Sequence, residues 1–210
     1  MENAQIEVTK RLLAIDTIKI QPDIPFTWAS GWKSPIYCDN RKVLSFPETR
    51  TFICNQFVNL VREKYPEAEA IAGVATGAIA HGVLVAEVLQ LPFIYVRSKP
   101  KGHGLENLIE GDIQPGTKVV IIEDLVSTGG SSLNAAAAVR NYGAEVLGML
   151  AIFTYNFPQA AKNFEEANIE LTTLSNYNLL LKMAYDSGEI TDEQLDSLNK
   201  WRKDPETWGK

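Results

Sequence analysis

Short apolar runs that alternate with helical segments constrain the fold of this chain more than any other feature. Five such runs are predicted as strands, at 70–75, 92–97, 118–124, 145–155 and 169–175. Strands that are apolar on both faces and alternate with helices are typical of a parallel sheet covered on both sides. We therefore predict an α/β fold with a central, mostly parallel sheet covered by helices. Ligands of such sheets bind beyond the carboxyl ends of the strands.

The remaining segments are predicted as helices or as irregular chain. Helices are expected at 3–15, 78–89, 131–143 and 158–167. A further helix is expected to begin at a capping box, Ser45–Glu48, and to end at about Tyr65. Two more helices are expected after the fifth strand, where Thr191–Gln194 forms a second capping box. Short strands are expected near Phe26 and at 36–38. We expect one domain over residues 1–210, with a small N-terminal hood (about 20–45, plus the first helix), a core (about 66–175) and C-terminal helices (176–210).

Charge and composition exclude several classes of protein. The net charge of −6 argues against broad binding to nucleic acid or to a membrane surface. No apolar run approaches the roughly 18 residues that a membrane span needs. Cys38 and Cys54 lack metal-type spacing, so reduced thiols in a cytoplasmic protein are expected.

The third strand ends in two adjacent acids, Glu123 and Asp124, and a loop of small residues follows at 127–132. Glycines allow a close approach of the backbone, and the N–H groups at the start of the next helix can bind a phosphate. The adjacent acids suit paired sugar hydroxyls, so the segment predicts a site for a phosphorylated sugar. A plain strand-turn-helix connection with Ser131 as N-cap is the alternative, and it leaves the acids unexplained.

Three further segments contain candidate site residues. In VRSKPKGHG (96–104), cations lie among glycines after a strand, where they could neutralise a departing polyanion. A solvated charged loop is the alternative. The segment SGWKSPIYCD (30–39), taken by itself, predicts an ordinary turn that contains proline. In GVATGAIAHG (73–82), a ligand-binding loop and tight packing of a helix on the sheet explain the glycines equally well. His81 is expected inside a helix as a structural residue.

The segment around Glu123 resembles the phosphoribosyl pyrophosphate (PRPP) signature of type I phosphoribosyltransferases. The resemblance implies that Glu123 and Asp124 hold the ribose hydroxyls and that the following loop surrounds the 5-phosphate. The PRPP-binding residues implied here are Glu123, Asp124, Leu125, Val126, Ser127, Thr128, Gly129, Gly130 and Ser131. By position, residues 75–77 lie against the diphosphate.

The spacing of Arg97, Lys101 and His103 resembles the catalytic loop of the orotate phosphoribosyltransferase family. The resemblance implies that these three residues are catalytic and also bind PRPP. Ser98 stands where many members have a lysine, and Lys99 could replace it.

The hood segment at 30–39 resembles the part of the same family that covers the base. The resemblance implies Tyr37 and Ser127 as orotate-binding residues. Ala29 replaces a frequent lysine, and Tyr155 and Asn156 stand where some members have an arginine. Three candidate partners for the orotate carboxylate remain open: Lys33, Arg41 and backbone N–H groups.

The resemblance implies transfer of a phosphoribosyl group from PRPP to orotate, which gives orotidine 5′-monophosphate and diphosphate in de novo pyrimidine biosynthesis. It also implies Mg²⁺ as cofactor, bound mainly through diphosphate and ribose oxygens. A homodimer is expected, with loop 97–110 shared between subunits. The alternatives are a phosphoribosyltransferase for purines or uracil, a PRPP sensor that regulates transcription, and a nucleotide-binding module without turnover.

Overall fold

A computed structural model describes residues 2–28, 31–99 and 108–208 of the 210-residue chain. Within these ranges the strands are β1 (Ile18–Ile20), β2 (Phe26–Thr27), β3 (Lys33–Ser34), β4 (Ile36–Cys38), β5 (Ala70–Val74), β6 (Phe93–Val96), β7 (Ile109–Glu110), β8 (Lys118–Val126), β9 (Glu145–Thr154) and β10 (Leu171–Asn176). The α-helices are α1 (Glu2–Ala14), α2 (Pro47–Lys64), α3 (Ile79–Leu89), α4 (Gly130–Asn141), α5 (Pro158–Glu166), α6 (Tyr177–Asp186) and α7 (Asp192–Lys203). A 3-10 helix covers Asn40–Ser45.

The central sheet has six strands in the order β10-β9-β8-β5-β6-β7. All neighbouring pairs are parallel except β6 and β7, which are antiparallel at the edge. The predicted mostly parallel α/β sheet is therefore confirmed. Short β7 was not predicted, because two residues carry too little periodicity to be recognised.

Apolar strand residues explain why this sheet forms the core. Residues 119–122 of β8 are fully buried, as are residues 149–153 of β9. Helices α1, α2 and α3 pack on one face of the sheet, and α4 and α5 cover the other. Both faces are thus removed from water, as the near-continuous apolar runs require. Among the described residues, no helix is both long and apolar enough to cross a membrane.

The hood consists of two small antiparallel strand pairs. β1 pairs with β4, and β2 pairs with β3. The 3-10 helix then leads from β4 to α2 and contacts β8. The hood therefore lies above the carboxyl ends of the parallel strands β5, β6, β8 and β9.

One of the predicted helix starts is wrong. Ser45 does not cap α2, because it lies in the 3-10 helix, whose N-cap is Asp39. The N-cap of α2 is Phe46, which makes no side-chain cap hydrogen bond, and Pro47 occupies the first turn. Proline has no N–H to satisfy, so the helix can begin there without a capping side chain. The predicted capping box of α7 at Thr191 and Gln194 is confirmed.

Candidate active site

The two adjacent acids of β8 lie in different environments. Glu123 is buried, with one carboxylate oxygen accepting the Ser132 hydroxyl over 2.8 Å and the other accepting the backbone N–H of Asp124 over 2.9 Å. Asp124 is half-buried and lines a cavity of about 310 Å³. The Asn40 side-chain amide donates to the backbone oxygen of Asp124 over 2.6 Å, which ties the hood to β8. Asp124 is therefore the better placed of the two acids to reach a ligand.

Burial changes the protonation of Glu123. Desolvation is the main cause that raises its pKa, to about 8, and the negative charge of Asp124 adds to the effect. The hydrogen bonds from Ser132 and from the Asp124 backbone N–H act in the opposite direction. Near neutral pH the pair therefore carries less than two full negative charges, which reduces the repulsion between its members.

We expect Glu123 to make the protein less stable as pH rises. A carboxyl group whose folded-state pKa is raised binds its proton more tightly in the folded state, so its stabilising contribution is present below pH 4 and is lost as pH rises through about 8. The measurement is the free energy of unfolding by urea between pH 5 and pH 8.5, for wild type and for Glu123→Gln. The difference in free energy of unfolding between wild type and Glu123→Gln should change with pH, because the other titrating groups are the same in both proteins and their contributions subtract out. Parallel curves would contradict this assignment.

The loop after β5 closes the cavity from the opposite side. Val74, Ala75, Thr76 and Gly77 line it, together with hood residues Cys38, Asp39 and Arg41 and with Glu123, Asp124, Leu125 and Ser131. A side chain on Gly77 would collide with the carboxylate of Asp124. The absence of a Cβ at Gly77 thus leaves room for the acid against the loop backbone.

The start of α4 is suited to an anion. Its N-cap is Gly129, with φ of 85°, which has no side chain with which to cap the helix. The Ser132 hydroxyl is occupied by Glu123, so the N–H groups of the first turn remain available to a ligand. Asn163 of α5 donates to the backbone oxygen of Thr128 over 2.9 Å and supports the loop from behind. The proposed phosphate loop is therefore held by contacts on its far side.

The cationic segment begins beside this loop. Arg97 lines a small pocket, about 100 Å³, together with Ala75 and Ser131. Its guanidinium donates to a carboxylate oxygen of Glu110 on β7 over 3.3 Å. Lys99 follows in the described chain, whereas Lys101 and His103 lie outside the described residues. The sheet thus places Arg97 next to the predicted phosphate and diphosphate loops.

Tyr37 is presented on the hood toward solvent. Its side chain is 42% exposed although its neighbours on β4 are buried, and its ring lies 5.5 Å from that of Phe26. The pKa of Tyr155 is raised by burial first, with smaller effects from groups that include Tyr37 and Asp124. Ala29 and Ser30 lie outside the described residues.

An aromatic cluster holds the hood on the sheet. Trp201 of α7 is fully buried and contacts Trp28, Tyr155, Phe157 and Tyr177, with ring centroids 5.2 to 5.7 Å apart. Its indole N–H donates to the backbone oxygen of Lys33 over 3.0 Å. The C-terminal helix thus fastens β3 of the hood to the carboxyl end of β9.

Sequence reasoning missed Asn40, Ser132 and Trp201, which position the site. Asn40 and Ser132 are buried polar residues, and Trp201 comes from the far end of the chain. One sequence signal could have identified Asn40 as a site residue, because Asn40 directly follows the hood motif at 30–39. His81 lies buried in α3, where a structural histidine was predicted, and burial lowers its pKa.

A larger cleft of about 820 Å³ lies elsewhere, between α1, β1 and the end of α6. Its walls include Lys10, Lys19 and Glu189, but none of the loops at the carboxyl ends of the parallel strands. We place the substrate site in the smaller cavity, because that one contains the acid, the glycine loop and the helix start.

Comparison with known proteins identifies the class of protein to which this fold and this site belong. Residues 55–175 match the family model of the phosphoribosyl transferase domain. The crystal structure of orotate phosphoribosyltransferase from Aeropyrum pernix has a TM-score of 0.76 and 23% identity, over 88% of this chain and 99% of that one. At this identity the structural likeness shows the shared fold, which is that of type I phosphoribosyltransferases.

Two curated relatives narrow the class. Orotate phosphoribosyltransferase of Porphyromonas gingivalis is 56% identical over 202 residues, which are 96% of each chain. The enzyme of the same name from Phocaeicola vulgatus is 59% identical over 199 residues, 95% of this chain and 94% of the relative. The chain belongs to the orotate phosphoribosyltransferase family.

Proposed function

We infer that the chain is a pentosyltransferase that transfers the 5-phosphoribosyl group of PRPP to orotate, giving orotidine 5′-monophosphate and diphosphate in de novo pyrimidine biosynthesis. The observation that carries this function is the single cavity in which hood, β5 loop, Asp124 and the start of α4 meet. PRPP and a base together supply one group for each of these parts: ribose hydroxyls for Asp124, a phosphate for the start of α4, a diphosphate for the β5 loop and a base for the hood. The identity to orotate phosphoribosyltransferases supports orotate as the base.

We propose the following division of roles. Asp124, with Glu123 behind it, holds the ribose hydroxyls, and residues 125–131 surround the 5-phosphate. Orotate lies against Tyr37 and Ser127. As diphosphate leaves, the ribosyl carbon becomes cationic, so catalysis depends on positioning and on stabilising the leaving group. Arg97 and Lys101 neutralise the diphosphate, and His103 donates a hydrogen bond or a proton to it.

Mg²⁺ is the proposed cofactor, and the cavity suits it. Among the described residues no cluster of three metal-ligating side chains exists, so a protein cage for an ion is not available there. Mg²⁺ usually takes one or two carboxylates together with substrate phosphates. Asp124 offers such a carboxylate in the cavity, and the diphosphate and ribose would supply the other oxygens. The ion would neutralise charge on the diphosphate.

We propose a homodimer in which loop 97–110 reaches the site of the neighbouring subunit. Val83 and Val88 of α3 are exposed apolar side chains, 44% and 46% exposed. The proposed location is the cytoplasm, where PRPP and orotate are the partners. Residues 1–210 are proposed to act as one domain, without binding nucleic acid or a membrane.

Replacing Lys101 by alanine is expected to lower kcat about a hundredfold, because removing one positioned charge or donor typically costs that much. The Kd of PRPP, measured by calorimetry, should change much less. Lys118→Ala, at the opposite end of β8, is the matched control. A Lys101→Ala enzyme with wild-type kcat would remove this role.

Mixed dimers test whether the loop acts across subunits. Lys101→Ala and Asp124→Asn chains, each with its own tag, are co-expressed and purified through both tags. If the loop serves the neighbouring site, the mixed dimer should recover about half of wild-type turnover, since one of its two sites is then intact. No recovery would mean that the loop serves its own subunit.

The reaction itself is tested by product analysis. With PRPP, Mg²⁺ and orotate, the protein should form orotidine 5′-monophosphate and an equal amount of diphosphate. Tight PRPP binding without product would favour the sensor instead.

A further inference from the structure

Arg41, one of the three candidate partners for the orotate carboxylate left open by the sequence, lines the candidate active site. It belongs to the 3-10 helix after β4, and it is the one basic residue among the described residues that line the cavity. Its Nε donates to the Asp39 carboxylate over 2.9 Å, and its backbone N–H donates to the same oxygen over 3.3 Å. The Asp39 carboxylate thus fixes the Nε end of the guanidinium, while the two terminal nitrogens, Nη1 and Nη2, make no hydrogen bond to described residues.

Arg41 lies at the solvent-exposed rim of the cavity, with its side chain 62% exposed. The hydrogen bond to Asp39 is the main cause that raises the pKa of Arg41, with smaller contributions from Asp124 and Tyr37. Arg41 also lines the same cavity as Asp124, the proposed ribose acid. The two terminal nitrogens of a planar guanidinium match the two oxygens of a carboxylate in a bidentate arrangement.

We propose that Arg41 binds the carboxylate of orotate and thereby selects orotate over pyrimidines that lack this group. The acid at Asp124 would repel a second anion nearby, and Arg41 offsets that repulsion from the hood side. The diphosphate has another cation nearby, since Arg97 lines a separate pocket with Ala75 and Ser131, which does not include Arg41. This inference rests on the proposed function.

Two other cations near the hood are engaged elsewhere. Lys33 donates to the Thr27 hydroxyl over 2.9 Å within the β2–β3 pair. Arg202 donates through Nη1 to the backbone oxygen of Asn156 over 3.2 Å, and its Nε is buried without a hydrogen bond to any described residue. Neither residue lines the cavity. Arg41 therefore remains the cation best placed for a base under the hood.

The test compares two nucleotides that differ only in the carboxylate, orotidine 5′-monophosphate and uridine 5′-monophosphate. Their Kd values are measured by calorimetry with the full chain, without turnover. Wild type should prefer the orotidine nucleotide. In Arg41→Gln, we expect its affinity to fall about tenfold to a hundredfold, the usual loss for a charged hydrogen-bonded pair. Affinities for the uridine nucleotide and for PRPP should stay within about twofold, because neither contains this carboxylate.

Control variants keep this result interpretable. Lys42→Gln removes the same charge from the same helix, but Lys42 donates to the backbone oxygen of Asp16, so the preference should be kept. Arg41→Lys keeps the charge without the bidentate fork, so the preference should be intermediate. The Arg41 assignment is overturned if Arg41→Gln keeps the preference, if it weakens PRPP binding instead, or if Lys33→Gln abolishes the preference. A wild type without any preference would reject the proposed function itself.

Discussion

Replacing Gly77 by alanine is expected to lower kcat/KM for PRPP about a hundredfold to a thousandfold, while the protein stays folded. An added Cβ would occupy the position of the Asp124 carboxylate. A carboxylate can rotate away at little cost to stability, but it then no longer meets the ribose. Displacement of a positioning group by about 1 Å can cost a hundredfold in rate, and the lost hydrogen bonds add to that.

Gly148→Ala is the matched control for this variant. A Cβ at Gly148 would collide with the Tyr65 hydroxyl, far from the site in the first half of β9. It introduces similar crowding, so it should lower the thermal midpoint without changing kcat/KM per folded molecule. Steady-state kinetics at varied PRPP, with thermal unfolding of each variant, distinguish the two cases. Wild-type kinetics in Gly77→Ala would show that Asp124 does not need its present position.

Replacing Trp201 by alanine is expected to destabilise the protein by about 3 to 5 kcal/mol, the usual cost of removing a buried large aromatic side chain. Trp201 is fully buried and joins four aromatic rings from the hood, from the loop after β9 and from α6. Its loss should also loosen the hood, so the KM for orotate should rise more than the KM for PRPP. Urea unfolding and kinetics at varied orotate measure the two effects.

Trp201→Phe separates packing from hydrogen bonding. Phenylalanine keeps an aromatic ring but cannot donate to the backbone oxygen of Lys33. We expect it to recover much of the lost stability, leaving a deficit of about 1 to 3 kcal/mol for the unsatisfied acceptor and the smaller ring. If Trp201→Ala unfolds within about 1 kcal/mol of wild type, the cluster does not anchor the hood.

The sheet and its binding edge could be predicted because their determinants are local. Each parallel strand is a short apolar run, and each following loop begins where that run ends, so the carboxyl edge follows from the order of elements alone. β8 shows the limit of this reasoning. Its hydrogen-bonded span continues to Val126, two residues past the predicted end at 124, so Glu123 and Asp124 are followed by further strand residues. Alternation along the strand then gives the two acids opposite directions and different burial.

The parts that could not be predicted depend on contacts between distant segments. Asn40 reaches Asp124 across 84 positions of the sequence, and Trp201 reaches Lys33 across 168. No periodicity within either segment encodes such a pairing. β1 and β3 themselves were missed for the same reason, although their partners β4 and β2 were predicted, because strands of two or three residues are defined only by their neighbours. The C-terminal helices are now seen to be part of the hood's support.

The most direct test of the central claim is base specificity in the presence of PRPP and Mg²⁺. Purified protein is incubated with orotate, uracil, adenine, hypoxanthine or xanthine, and diphosphate release is followed together with orotate absorbance. The account predicts diphosphate release with orotate alone, matched by an equal loss of orotate. Release with another base and none with orotate would contradict it.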